Sequence, residues 1–249
     1  MIDVGTALPG AVARGEMSAW FQPQLDLHSG EIVGAEALCR WTHPDLGAVP
    51  PSEFIPVAEE LGLIDEIGLF MANEACAAAL EWSALARPVS VSVNVSPAQL
   101  LTDAFTNYLA LQLNKLKLPP KSLIVEITEA LPIADFPVVV GRLDELRRQG
   151  LGIALDDFGV GHSSVRQVRR IHANELKIDR SLVIDDSDEC TTMLTSVIEE
   201  VHSAGLTVVA EGIETEDQLQ RVRDLKCDRA QGYLIGRPQP RDVLELLLA

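Results

Sequence analysis

From Phe54 onward, helix-like and strand-like segments alternate without a long polar linker, which restricts the chain to a mostly parallel sheet with helical crossovers. Apolar spacing near 3.6 predicts helices over about 54–86, 103–116, 137–149, 189–204, 215–225 and 241–248. Runs of β-favouring residues between them predict strands over 89–95, 123–128, 152–156, 175–178, 207–210 and 231–235. The beginning differs. AWFQPQLDL, HSGE and IVGAEALCRW predict two strands around a turn, so the first pair is expected to be antiparallel. Pro-Pro at 50–51 and 119–120 is expected in loops, and residues 1–249 are expected to form one domain.

Strand alternation sorts the side chains by face. In VSVNVS, Val91, Val93 and Val95 share one side, and Ser92, Asn94 and Ser96 the other. Gly152, Ala154 and Asp156 oppose Ile153 and Leu155, while Gly34, Glu36, Leu38 and Arg40 share a face. Small residues below a polar one, backed by branched apolar residues, fit a closed α/β barrel. Its outer face packs on helices, and its chemistry lies at the C-terminal ends of the strands.

Five of the strand segments carry a residue able to hold a cation: Glu36, Asn94, Glu126, the pair Asp156 and Asp157, and Glu211. An ionised carboxylate is costly in a strand that is otherwise buried unless a cation compensates it. Each residue alone is more readily explained structurally, but together their oxygens suit one or two hard cations such as Mg²⁺ or Mn²⁺. Ca²⁺ prefers more ligands at longer distances and is expected to inhibit. The adjacent aspartates can contribute to two ions only if their strand is ending, as Phe158-Gly159 indicates. Lys177, between Leu176 and Ile178, is expected inside the barrel with anionic neighbours.

The formal net charge of −17 argues against sequence-independent binding to polymeric nucleic acid. Cys39, Cys76, Cys190 and Cys227 have no C-x-x-C spacing, and the bland expectation is reduced thiols in a cytoplasmic protein. No apolar run is long enough to insert this segment in a membrane, and the first residues lack a signal-peptide pattern. The expectation is a soluble chain, which leaves room for it to be one piece of a longer, membrane-attached parent.

GAEALCRW, SVNVS, VEITE, DDFGVG, LKIDRS, VVAEGIET and QGYLIGRP occur in an order and spacing that resemble the EAL-domain family of bacterial cyclic di-GMP phosphodiesterases, from about Trp20 to Pro240. The resemblance implies a (β/α)8 TIM-like barrel with an antiparallel first strand, binding two divalent cations and hydrolysing cyclic di-GMP to linear pGpG through an activated water. Carried over by motif, Glu36, Asn94, Glu126 and Asp156 hold one ion, and Asp156, Asp157 and Glu211 the second or its water. Lys177 and Gln231 contact that water. Gln22, Leu38, Arg40, Glu214 and Tyr233 fall at substrate contacts, and Glu129 at the anchor of the loop after DDFG. The resemblance also implies a homodimer. Val160 and His162 depart from the family's usual DDFGTGYSS. The rival expectation is a catalytically silent cyclic di-GMP receptor, but such receptors usually lose metal ligands, and none is missing here.

Overall fold

The computed structural model describes residues 3–128, 136–159 and 170–248. Its strands are β1 (Met17–Asp26), β2 (Ile32–His43), β3 (Gly47–Val49), β4 (Ser90–Asn94), β5 (Leu123–Thr128), β6 (Gly152–Phe158), β7 (Glu175–Ile178), β8 (Thr207–Ala210), β9 (Arg229–Gln231) and β10 (Gln239–Pro240). The order β1-β9-β8-β7-β6-β5-β4-β2 returns to β1 and closes an eight-stranded barrel, with β3 and β10 as short additions at β2 and β1. β1 is antiparallel to both of its barrel neighbours, and the other barrel pairings are parallel. This is the expected barrel, with its antiparallel first strand.

The two strand faces do different work. Val91, Val93, Val125, Ile127, Ile153, Leu155, Leu176 and Val208 are buried in the layer between sheet and helices. On the alternate positions Glu36 pairs laterally with Ser92, Ser92 with Ile124, and Ile124 with Gly152. Small residues there make room for larger ones: a Cβ on Gly152 would lie 2.9 Å from Ile124 Cγ1, and one on Gly34 would lie 2.7 Å from Gln24 Oε1. The lower barrel is thereby filled, and the polar groups above it share an enclosed space.

Three details differ from the expected elements. The helix expected over 54–86 is two helices, Pro51–Glu60 and Ile64–Trp82, because Gly62 turns the chain at φ +68°. Pro51 opens the first of them at a position where the missing N–H costs nothing, so Pro-Pro at 50–51 starts a helix. The strand expected over 231–235 is Arg229–Gln231, and the chain leaves the ladder at Gly232. A Cβ on Gly232 would lie 2.1 Å from the Ile213 carbonyl oxygen, and Leu234 N donates to that oxygen, so the chain turns to pack on the loop after β8.

Just before β1, Glu16 fastens the barrel wall. Arg14 Nε and Nη2 donate to its two oxygens at 2.6 and 3.1 Å, and the buried Trp41 donates from Nε1 at 3.0 Å. The Arg14 bonds, with Trp41, hold its carboxyl down at about 2, below the ordinary 4.5. A depressed acid contributes stability that is present above its unfolded pKa and is lost as pH falls through the folded one. Glu16→Gln is therefore expected to melt below the parent at pH 7, with the gap closing between about pH 4.5 and 2. Thermal denaturation across that range checks this, and a gap independent of pH would assign Glu16 a role in packing alone.

Candidate active site

Lys177, fully buried on β7, is the centre of the mouth. Its Nζ lies 2.7 Å from Glu211, 2.8 Å from Glu126, 3.3 Å from Asp156 and 3.4 Å from Glu36. The carboxylates come from the ends of separate strands, and the register explains how they meet. Asn94 at the end of β4 is level with Glu126 on β5, and Thr128 with Asp156 on β6. Glu211 follows β8 directly, and its N–H bonds the Ile178 carbonyl at the end of β7.

A local irregularity brings in Asp157. The expected end of the strand is instead a bulge: β6 continues to Phe158, but its register to β7 shifts between Leu155 and Phe158, and Asp157 adopts φ +60°. That left-handed residue breaks the alternation that would otherwise point neighbouring side chains apart. Ligand atoms of Asp156, Asp157 and Glu211 consequently lie within 4.8 Å of one another, as do those of Glu36, Glu126 and Asp156. Asp156 belongs to both triplets.

Amides hold the acids in place. Asn94 Nδ2 donates to Glu36 Oε1 and Gln231 Nε2 to Glu36 Oε2, both at 2.6 Å. Gln231 Nε2 also reaches Gln22 Oε1 at 3.3 Å, and its Oε1 accepts from Gln24 Nε2 at 2.9 Å. Gln24 escaped the sequence reading, although its place two residues after Gln22 on an alternating strand puts both on one face.

Burial pushes the Glu126 carboxyl well above its ordinary range and raises that of Asp156, with Lys177 offsetting only part of the effect. The same contest leaves Glu211 at about 8. Asp157 is raised by burial and then by Asp156. For Glu36 burial also acts upward, but Lys177 and the amides of Gln231 and Asn94 outweigh it and hold the carboxyl below its ordinary value. Burial opposes the Lys177 charge, yet Glu126, Glu36, Glu211 and Asp156 together raise that ammonium well above its usual range. One cation among so many acids leaves the site electron-rich. Glu126 Oε1 is buried with no hydrogen-bond partner among the described residues. An orphaned carboxylate oxygen beside two oxygen triplets fits a hard divalent cation, which displaces protons as it binds.

Above the cluster opens a cavity of about 260 Å³ whose walls include Gln22, Leu38, Glu214 and Tyr233, with Glu36, Glu211 and Gln231 at its floor. Arg180 also lines it, a residue the sequence reading passed over. Arg40 lies on β2 beyond this wall; its Nη1 bonds the Cys39 carbonyl at 2.9 Å and its guanidinium sits 5.9 Å from the Trp20 ring. Glu129, Val160 and His162 lie outside the described residues.

The carboxylate-ringed lysine thus stands at the C-terminal ends of the strands of a closed β/α barrel, where barrel enzymes place their active sites. The chain belongs to the EAL domain family, which it matches over residues 6–238. It is 35% identical over 229 residues to the cyclic di-GMP phosphodiesterase RocR of Pseudomonas aeruginosa, spanning 91% of this chain and 58% of RocR. With the oxygen sensor protein DosP of Escherichia coli it shares 36% over 246 residues, 96% of this chain and 30% of DosP. The solved PaMucR phosphodiesterase in complex with c-di-GMP superposes with a TM-score of 0.89 at 33% identity, covering 98% of this chain and 100% of that one. The chain spans 29%, 29% and 58% of the length of an uncharacterized signaling protein of Caulobacter vibrioides, protein y4lL of Sinorhizobium fredii and RocR. Among the described residues, no helix is long and apolar enough to cross a membrane.

Proposed function

We propose that residues 1–249 act as one domain that hydrolyses cyclic di-GMP to linear pGpG with the help of two divalent cations, Mg²⁺ or Mn²⁺. The observation that carries this reading is the pair of carboxylate triplets sharing Asp156 around the buried Lys177. Its kinship with RocR and MucR supports the choice of substrate. Glu36, Asn94, Glu126 and Asp156 would hold one ion, and Asp156, Asp157 and Glu211 the other. When bound, the cations supply Lewis acidity to the phosphodiester and make the attacking water more acidic.

The remaining work belongs to the chain. Lys177 holds the acids at fixed spacing and keeps a positive charge beside the reacting phosphate, where negative charge develops. Gln231 fixes Glu36 and meets the attacking water by giving up its long 3.3 Å bond to Gln22, while Gln22, Leu38, Arg40, Glu214 and Tyr233 bind the dinucleotide. Arg40 is suited to a phosphate oxygen. A homodimer, by family resemblance, and a cytoplasmic setting, from cysteines with no C-x-x-C spacing, accompany this proposal.

Incubation of the purified chain with cyclic di-GMP and Mn²⁺, with chromatographic resolution of products, tests the reading. Linear pGpG is the expected product; tight binding without turnover would leave a receptor. Ca²⁺ is expected to compete with Mg²⁺ and lower the rate, since it prefers a larger coordination shell than this compact oxygen set provides. Equal rates with the two ions would count against the two-cation arrangement.

A further inference from the structure

Although it stands in LKIDRS, Arg180 has no role in the sequence reading, yet it lines the cavity above the acids. It follows Asp179, whose side chain caps the short helix Arg180–Ile184 directly after β7. Its guanidinium meets Glu214 fork to fork, Nη1 to Oε1 at 2.7 Å and Nη2 to Oε2 at 2.9 Å. The stem of Arg180 lies over Gly212, where a Cβ would come within 2.5 Å of both Arg180 Cβ and Cγ. Gly212 also takes φ +68°, so this position excludes a side chain twice over. The Glu214 backbone is held as well, its N–H donating to Gln218 Oε1 at 2.7 Å.

The same cavity is lined by Tyr233, half exposed, with the Arg237 guanidinium 4.2 Å from its ring centroid. An aromatic face beside a fixed carboxylate suits one purine in particular. Guanine presents N1–H and a 2-amino group on its edge, and the 2-amino group, which adenine lacks, is a donor for a carboxylate oxygen. Adenine presents an acceptor at N1 instead. Each carboxylate oxygen has two lone-pair sites; Arg180 takes the inward-facing one on each, which leaves one on each oxygen pointing outward to opposite sides, so that one base donor can meet one of them.

From this geometry we infer that Arg180 is a positioning residue for guanine specificity, holding the Glu214 carboxylate so that a remaining oxygen lone pair accepts from the 2-amino group. The inference rests on the cyclic di-GMP reading and adds to it the group that orients the base contact. A loose glutamate at 34% side-chain exposure would still attract donors, but it would have to give up rotational freedom on binding and would discriminate less.

The inosine analogue of the substrate, which keeps N1–H and lacks the 2-amino group, isolates the effect. With the unaltered chain, the analogue's KM is expected to be about tenfold higher than that of cyclic di-GMP, the loss of one hydrogen bond to a charged acceptor. In Arg180→Ala the two KM values should converge to within about threefold, mainly because that of cyclic di-GMP rises. Arg180→Lys keeps the charge but not the fork and should converge as well. Discrimination that stays tenfold in Arg180→Ala, whether or not both KM values rise together, would overturn the assignment. So would discrimination kept in Arg180→Lys, since charge alone would then suffice. An unaltered chain that hydrolyses both compounds with equal KM would remove the Glu214 contact itself, and one that hydrolyses neither and binds neither would remove the underlying substrate reading instead.

Discussion

Lys177→Met is expected to lower turnover of cyclic di-GMP by about a thousandfold or more and, in chelator, to lower the melting temperature by roughly 6–10 °C. The first effect follows from removing the positive charge beside the reacting phosphate; loss of one preorganised group facing developing charge costs about 10²–10³ in rate. The lysine also spaces the acids, so the combined loss is larger. The second effect follows from burial. Lys177 is fully buried within 3.4 Å of four carboxylates, and methionine of similar length leaves them without their central cation. Removing one partner of a buried ionic group costs about 3–5 kcal/mol, and protonation of the raised acids recovers part of that. At this chain length each kcal/mol moves the melting point by about 2–4 °C. Excess Mn²⁺ should then restore much of the stability and little of the rate, because a cation can replace the charge but not the group that Lys177 offers. Recovery of the rate to within tenfold of the parent by Mn²⁺ would reduce Lys177 to a structural counter-ion.

The barrel was legible because its two periodicities are written in the residues themselves. Alternating valines in VSVNVS, small residues in GIALDD and the helical spacing between them need no tertiary information to be read. Lys177 could be placed inside for the same reason: a charge flanked by Leu176 and Ile178 in so short a strand had to be buried with acids. What escaped depends on contacts between distant segments. Asp157 was named as a ligand, but the left-handed bulge that brings it into the site is set by pairing with β7, which no local pattern announces. Strand β9 stops at Gln231 because the loop holding Ile213 crowds Gly232, a neighbour unknown until the barrel closes. The break between the helices at Gly62 could have been seen, since LGL interrupts good helix formers with the residue that ends helices most readily. Arg180 was passed over for a subtler reason. An arginine opening an exposed helix after a strand resembles any solvated charge, and only the pairing with Glu214, thirty-four residues away, gives it a task.

Glu36 offers the sharpest separation of chemistry from folding. Its carboxylate accepts from Asn94 and Gln231 at 2.6 Å each and lies 3.4 Å from Lys177, so Glu36→Ala leaves two amides and part of an ammonium without their acceptor. Against this, one negative charge leaves a crowded cluster in which Glu36 helps to raise the carboxyls of Glu126, Asp156 and Glu211. The two effects oppose each other, and water can enter from the open cavity that Glu36 lines. The melting temperature is therefore expected to stay within about 4 °C of the parent, corresponding to roughly 1–2 kcal/mol. Turnover should fall by at least about a thousandfold, or some 4 kcal/mol of lost transition-state stabilisation, since one of the two carboxylate triplets loses a member. Glu36→Gln distinguishes the causes: it keeps the shape and one acceptor oxygen but removes the charge. If charge is what the site needs, Gln and Ala variants should be equally slow at saturating Mn²⁺, even though the Gln variant is the better packed. A Gln variant within tenfold of the parent rate would show that Glu36 orders Asn94 and Gln231 and is not required as an anionic ligand.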